Sequence, residues 1–301
     1  MKRRVIVVTG APRTATTPVG NLLAQCRGTV SLYEPLGPTG LARIPMWFPM
    51  VGENLGVSQS ALPHLIEDLG AFRLGRLKPQ ARNGREVSLM TRLFGSRTLH
   101  SLRLARLQPW ARTVIWKDPH AVMMVPDLVA SGLDVVVTAR TPRAHAASYR
   151  RLGWHSRARD IYPRWSARYG RCEVVEAFLD RSDDSVVSAA LLWRLSYLPL
   201  LRTGTLRRVH LVTSEALEQD EQATYRTLIG ELGLMPTRAV EKTLSKERRE
   251  TRASDMSQKT HDWTRSVASV NQYWKDVLSE DDLRHVGEIT SDVEPAFFSK
   301  D

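Results

Sequence analysis

The residues best equipped for chemistry near the start of the chain are Arg13, Thr14, Thr16 and Thr17, within VVTGAPRTATTPVGNLLAQC (Val7–Cys26). They supply one fixed positive charge and three hydroxyl donors, placed between a run of β-formers and an amphipathic segment. A strand that turns tightly into a helix N-terminus leaves backbone N–H groups unpaired and points the helix dipole at the turn, so such a turn is an anion site. Gly10 permits the sharp turn.

A second set lies in VVVTARTPRAHAASYRRLGW (Val135–Trp154). Arg140 ends a strand, where a guanidinium reaches a ligand at the sheet's carboxyl edge. Pro142 suits the first turn of a helix. Ser148 falls about two turns into that helix, so its hydroxyl reaches back along one face. A guanidinium and a hydroxyl together can grip a terminal phosphate. Lys117, at the end of TVIWKDP, is a second cation at the same edge; Glu34 in SLYEPLGP follows the first helix and a short strand, and His120 lies in KDPH, where it also suits a helix cap after Pro119.

Two common phosphate motifs are excluded. Counting a Walker loop, G-x-x-x-x-G-K-[ST], from Gly10 puts Ala15 where its second glycine belongs and Thr16 where its lysine belongs. A dinucleotide-binding turn of the T-G-x-x-x-G-x-G type would need glycines where Thr14 and Thr16 stand, and close approach of a pyrophosphate is not supported.

The stretch PRTATT (Pro12, Arg13, Thr14, Ala15, Thr16, Thr17) instead resembles the 5′-phosphosulfate loop of sulfotransferases, P-[KR]-[ST]-G-[ST]-[ST], with Ala15 in the glycine place. The Arg140–Ser148 stretch resembles the same family's 3′-phosphate motif, and VHLVTSEALEQDEQATYRTLIGELGL (Val209–Leu234) resembles its V-x-Y-E-D-L segment and following helix. The pattern is closer to the bacterial and carbohydrate-type branches. The cytosolic branch stacks a Trp on adenine where this chain has Pro18, and has a Tyr where this chain has Ser214.

The resemblance implies a mainly parallel α/β sheet in three layers, related to P-loop kinases. It implies 3′-phosphoadenosine 5′-phosphosulfate (PAPS) as donor, 3′,5′-adenosine bisphosphate as product, and no metal. It implies transfer of the sulfuryl group to a hydroxyl of a carbohydrate, glycolipid or related small molecule. In-line transfer places charge on the leaving bridge oxygen, to be met by Arg13 with Thr16, Thr17 and the loop amides. Lys117 is either a second cation there or half of a structural ion pair. A base must take the acceptor's proton. Glu34 is the first choice, since carbohydrate-type relatives use a glutamate in a comparable place, and His120 is the rival. Arg265, in WTRSV, either closes over the donor phosphates from the tail or is a plain surface residue.

The elements that position these groups follow from periodicity. Besides Val5–Val8, buried-looking runs rich in Val or Ile occur at Arg112–Asp118, Leu133–Arg140 and Arg207–Ser214. Such runs separated by helical patterns predict a parallel sheet with helices on both faces. Val19, Leu22, Leu23 and Cys26 share one helical face, a helix is expected over about 184–201, and another ends near Gly233 and Pro236. The whole chain, 1–301, reads as one domain with helical insertions at about 35–110 and 152–180 over the ligand edge. The tail closes the fold as a helix pair.

The chain has 301 residues and 42% hydrophobic content, enough for a sizeable core. No apolar run approaches a membrane span. Cys26 and Cys172 cannot build a disulfide framework and fit a reducing cytoplasm. The net charge of +11, from 43 Lys and Arg against 32 Asp and Glu, suits an anionic ligand, and also allows peripheral contact with an anionic membrane. No established nucleic-acid motif is present. Two other readings stay open: a P-loop kinase with a degenerate loop, and a non-catalytic polyanion-binding module.

Overall fold

In the computed structural model, residues 2–79, 96–245 and 267–298 are described, with side chains in the last segment from residue 270. The chain runs β1 (Arg4–Thr9), α1 (Thr16–Leu23), β2 (Thr29–Tyr33), a small parallel pair β3 (Met50–Val51) and β4 (Gly56–Val57), α2 (Ala61–Gly70) and α3 (Arg97–Arg106). Then come β5 (Thr113–Lys117), a 3-10 turn (Pro119–Met124), α4 (Val125–Ala130), β6 (Asp134–Ala139), α5 (Pro142–Leu152), α6 (Ala158–Tyr169), α7 (Glu173–Phe178) and α8 (Ser185–Arg202). The last part holds β7 (His210–Thr213), α9 (Ser214–Gln219), α10 (Glu221–Glu231), α11 (Arg238–Leu244), α12 (Val267–Gln272), α13 (Trp274–Val277) and α14 (Glu280–Thr290).

The main sheet has the order β2-β5-β1-β6-β7, with every pairing parallel. The fold is therefore a three-layer α/β sandwich with a parallel central sheet. Side chains alternate across β1: Val5 and Val7 join one apolar cluster, Ile6 and Val8 the other. The second cluster is completed by Val19, Leu22 and Leu23 of α1 and by Tyr225, Leu228 and Ile229 of α10. The first is built around α8, which is buried along nearly its whole length. Cys26 lies just past the end of α1, yet it packs into the α1 cluster. Burial pushes its thiol up to about 11.

Chain order reverses around β1: α1 carries the chain out to β2 at one edge, while β6 and β7 extend the other side. In open parallel sheets the crevice for a ligand forms at such a switch, outside the carboxyl ends of the strands. All five strands end there, at Thr9, Tyr33, Lys117, Ala139 and Thr213.

Among the described residues of 35–110 and 152–180, only some come near that edge. In α2, Leu62, Leu65 and Leu69 are core, and in α6 so are Ile161, Tyr162 and Trp165, whose indole Nε1 donates to the Leu195 carbonyl at 2.9 Å. Among the described residues, no helix is long and apolar enough to cross a membrane.

Candidate active site

The turn after β1 is held open by unusual backbone. Gly10 has φ +150°, and a Cβ there would lie 2.2 Å from the Thr138 carbonyl oxygen of β6. Arg13 (φ 75°) and Ala15 (φ 72°) both occupy the left-handed region, Ala15 as the N-cap of α1. That conformation costs a non-glycine residue about 1–2 kcal/mol, so the rest of the fold must impose it. Thr14 does part of this. Its hydroxyl donates to the Ala11 carbonyl at 2.6 Å and lies 2.9 Å from Thr138 Oγ1. Tyr197 of α8 completes the arrangement: its hydroxyl donates to the Thr138 carbonyl at 2.7 Å and accepts from the Ala11 N–H at 3.1 Å. His145 Nε2 lies 3.0 Å from the Pro12 carbonyl, and burial holds this imidazole down at about pH 3. It is therefore neutral at pH 7 and donates that hydrogen bond.

Beyond the turn lies a cavity of about 600 Å³. Pro12, Arg13, Thr14, Ala15, Thr16 and Thr17 all line it, as do Glu34, Lys117, His120 and Arg140. Arg140 is buried. Its Nη2 donates to the Val270 carbonyl of α12, its Nε has no hydrogen-bond partner among the described residues, and its own carbonyl accepts from Trp193 Nε1 at 2.8 Å. Ser148 is also fully buried, and its hydroxyl accepts from Arg13 Nε at 3.1 Å. It stands behind Arg13 rather than among the lining residues. Arg265 lies outside the described residues.

Lys117 and Glu34 are partners, with Nζ 2.6 Å from Oε1; the ammonium is 1% exposed and the carboxylate 20%. Glu34 takes the left-handed φ of 47° just past β2, and its N–H extends the ladder to the Lys117 carbonyl at 2.8 Å. The Lys117 stem crosses α1 at Gly20, where a Cβ would lie 2.7 Å from Lys117 Cγ. The ammonium also rests 4.0 Å from the Tyr33 ring centroid.

His120 is backed by Asp118, with Nδ1 3.2 Å from Oδ1. Asp118 is fully buried and accepts from the N–H groups of His120 (3.0 Å) and Leu36 (2.6 Å), so its carboxylate is fixed. Trp47 and Phe48 close around the imidazole, with ring centroids 5.2 and 5.1 Å away.

Several contributors escape a reading by sequence. Asp118 was legible only as a neighbour of Lys117, and its partner is His120. Arg151 and Tyr273 line the same cavity as Arg140. The spacing of Arg151, three residues after Ser148 on one helix, is a signal that could have found it. No group of three or more His, Cys, Asp or Glu side chains suited to a metal ion occurs among the described residues.

No family model matches the chain, and no curated protein matches it. Among solved structures it is similar to one described as "Sulfotransferase Domain from the Curacin Biosynthetic Pathway", with 16% sequence identity and a TM-score of 0.46, covering 97% of this chain and 98% of that one.

Proposed function

We propose that this protein is a sulfotransferase that moves the sulfuryl group of PAPS to a hydroxyl of a ring-bearing acceptor, a carbohydrate or glycolipid being the class its site suits. The observation that carries this reading is that one cavity collects the Pro12–Thr17 turn, Arg140 and an oriented His120 at the carboxyl edge of the sheet. The turn and Arg140 offer two separate anion grips, as a nucleotide with phosphates on both sides of its ribose requires.

In this reading the 5′-phosphosulfate lies on the turn, where Ser148 holds Arg13 from behind, and the 3′-phosphate lies by Arg140. The acceptor oxygen attacks sulfur, the bond from sulfur to the 5′-phosphate oxygen breaks, and that oxygen leaves with the electron pair. Arg13, Thr16, Thr17 and the α1 N–H groups meet its charge. Lys117 adds a second cation, held in place by Glu34. The acceptor proton goes to His120 Nε2, since Asp118 engages Nδ1 and leaves the other nitrogen to accept. Glu34, tied to Lys117, is the weaker base. Trp47 and Trp154, 37% and 38% exposed, offer apolar faces at the cavity for an acceptor ring.

The test is binding followed by transfer. 3′,5′-Adenosine bisphosphate without magnesium should raise the melting temperature, by an amount that grows with ligand concentration. Labelled PAPS should then pass its sulfuryl group to a panel of sugar and aryl hydroxyls. Stabilisation by ATP with magnesium, and none by the bisphosphate, would reject the reading.

A further inference from the structure

We infer that Arg157 gives the acceptor end of the cavity a positive charge of its own, so that the site selects ring acceptors carrying a carboxylate near the attacked hydroxyl over their neutral counterparts. The inference rests on the sulfuryl-transfer reading above and deepens it by naming the charge of the acceptor.

The first ground is placement. Arg157 lines the cavity together with Trp47, Phe48, His120, Trp154 and His155. Its guanidinium carbon lies 5.2 Å from the Trp47 ring centroid, and the His120 ring lies 5.2 Å from the same centroid. The proton acceptor of the proposed reaction and this cation therefore border one indole, and a single small ring can reach both.

The second ground is charge. Arg157 is exposed, and it makes no ion pair among the described residues. Two acids line the cavity. Glu34 is taken by Lys117, and Glu221 opens α10, which packs in the other apolar cluster from Phe48 and Ala158. A guanidinium resting by an aromatic ring keeps its planar N–H fork, and that fork matches the two oxygens of a carboxylate.

The third ground is support. The Ser156 N–H donates to Ser188 Oγ of α8 at 2.5 Å, and the Ser156 hydroxyl accepts from the Ala158 N–H at 3.2 Å, so the backbone is tied on both sides of Arg157. Across from it, the Trp47 carbonyl accepts from Arg164 Nη2 at 3.1 Å, and Phe48 is buried beside it. A cation presented on a fixed backbone costs less to order around a ligand. The apolar rings accept charged and neutral acceptors alike, so discrimination falls to Arg157.

The experiment measures transfer from labelled PAPS to two matched pairs, methyl glucuronide against methyl glucoside and 4-hydroxybenzoate against 4-hydroxybenzamide. In at least one pair the wild-type protein should favour the acid by about tenfold or more in kcat/KM, chiefly through KM. Arg157→Gln should bring that ratio close to unity, Arg157→Lys should keep part of it, and Arg157→Glu should reverse it. A residue that only held the fold would lower both members of a pair together. A ratio that survives Arg157→Gln, equal losses within each pair, or no preference for either acid in the wild-type protein overturns the assignment. Stabilisation by 3′,5′-adenosine bisphosphate without transfer to either acid also overturns it, and leaves the donor reading standing. A protein that neither binds the bisphosphate nor transfers the sulfuryl group overturns that reading, and this inference with it.

Discussion

Lys117 Nζ and Glu34 Oε1 sit 2.6 Å apart at the carboxyl ends of adjacent strands, so the cation that ends β5 and the carboxylate that follows β2 form one ion pair. Removing the carboxylate leaves an ammonium that is 1% exposed without its counter-charge. Glu34→Gln should therefore destabilise the protein by about 2–3 kcal/mol, at the low side of the usual range because Glu34 is itself partly in water. Denaturant melts should show this loss, and an unchanged midpoint would deny the pair its structural weight.

On the proposed mechanism, the same series separates the roles. His120→Gln should lower turnover by about 10²–10⁴-fold with nucleotide affinity retained. Asp118→Asn should lower it as well, by releasing the imidazole from its fixed orientation. Glu34→Gln should retain turnover within about tenfold of wild type, since general-base losses are larger than that. Loss in Glu34→Gln equal to that in His120→Gln, measured in single-turnover assays, would move the base to Glu34.

Two glycines should respond unequally to alanine. At Gly10 the added Cβ meets the Thr138 backbone carbonyl at 2.2 Å, with φ at +150°. At Gly20 it meets the Lys117 stem at 2.7 and 3.0 Å. Gly20→Ala should cost about 1–3 kcal/mol and shift Lys117, and Gly10→Ala should cost more, because a strand cannot retreat as a side chain can. Thermal melts that rank the two in reverse would count against the close packing of the turn on β6.

Ala15 stands in the left-handed region at φ 72°. Ala15→Gly should stabilise the chain by about 0.5–1 kcal/mol, the relief of strain being reduced by the greater freedom of unfolded glycine. A fall in stability would show that the alanine methyl has a packing role.

Acid should weaken the fold through His145. The unfolded chain protonates this residue below about pH 6.5, whereas the folded chain does so only near pH 3, because burial and then Arg140 oppose the charge. Its contribution is whole above pH 6.5 and is lost as pH falls toward 3. At pH 4.5 the loss from this group should be about 2–3 kcal/mol. His145→Gln, whose amide can still donate to the Pro12 carbonyl, should show a shallower decline between pH 7 and 4.5 in denaturant titrations.

The strands were legible because parallel strands buried on both faces read as short Val and Ile runs: β5, β6 and β7 fall within the expected stretches, and β1 extends Val5–Val8 by one residue at each end. The long helix over 184–201 is found as Ser185–Arg202, capped by Asp184, whose carboxylate accepts from Val186 and Val187 N–H. The strand pair at 50–57 carries no such pattern, being two residues in each member. Trp165 is core, its indole donating to the Leu195 carbonyl of α8, a contact that sequence does not show. What sequence does not carry is pairing across distance. The Glu34–Lys117 contact spans 83 positions and the Arg13–Ser148 contact 135, and only the closed sheet brings them together.

Tyr197 has a consequence for how a donor would be received. Its single hydroxyl ties Ala11, at the base of the anion turn, to Thr138, two residues before Arg140. The gap between the turn and Arg140 is thus gauged by the interior of the molecule. On the donor reading proposed above, a nucleotide whose phosphates match that gap would dock without rearranging its host, and one that is too short would gain nothing by the protein stretching to meet it.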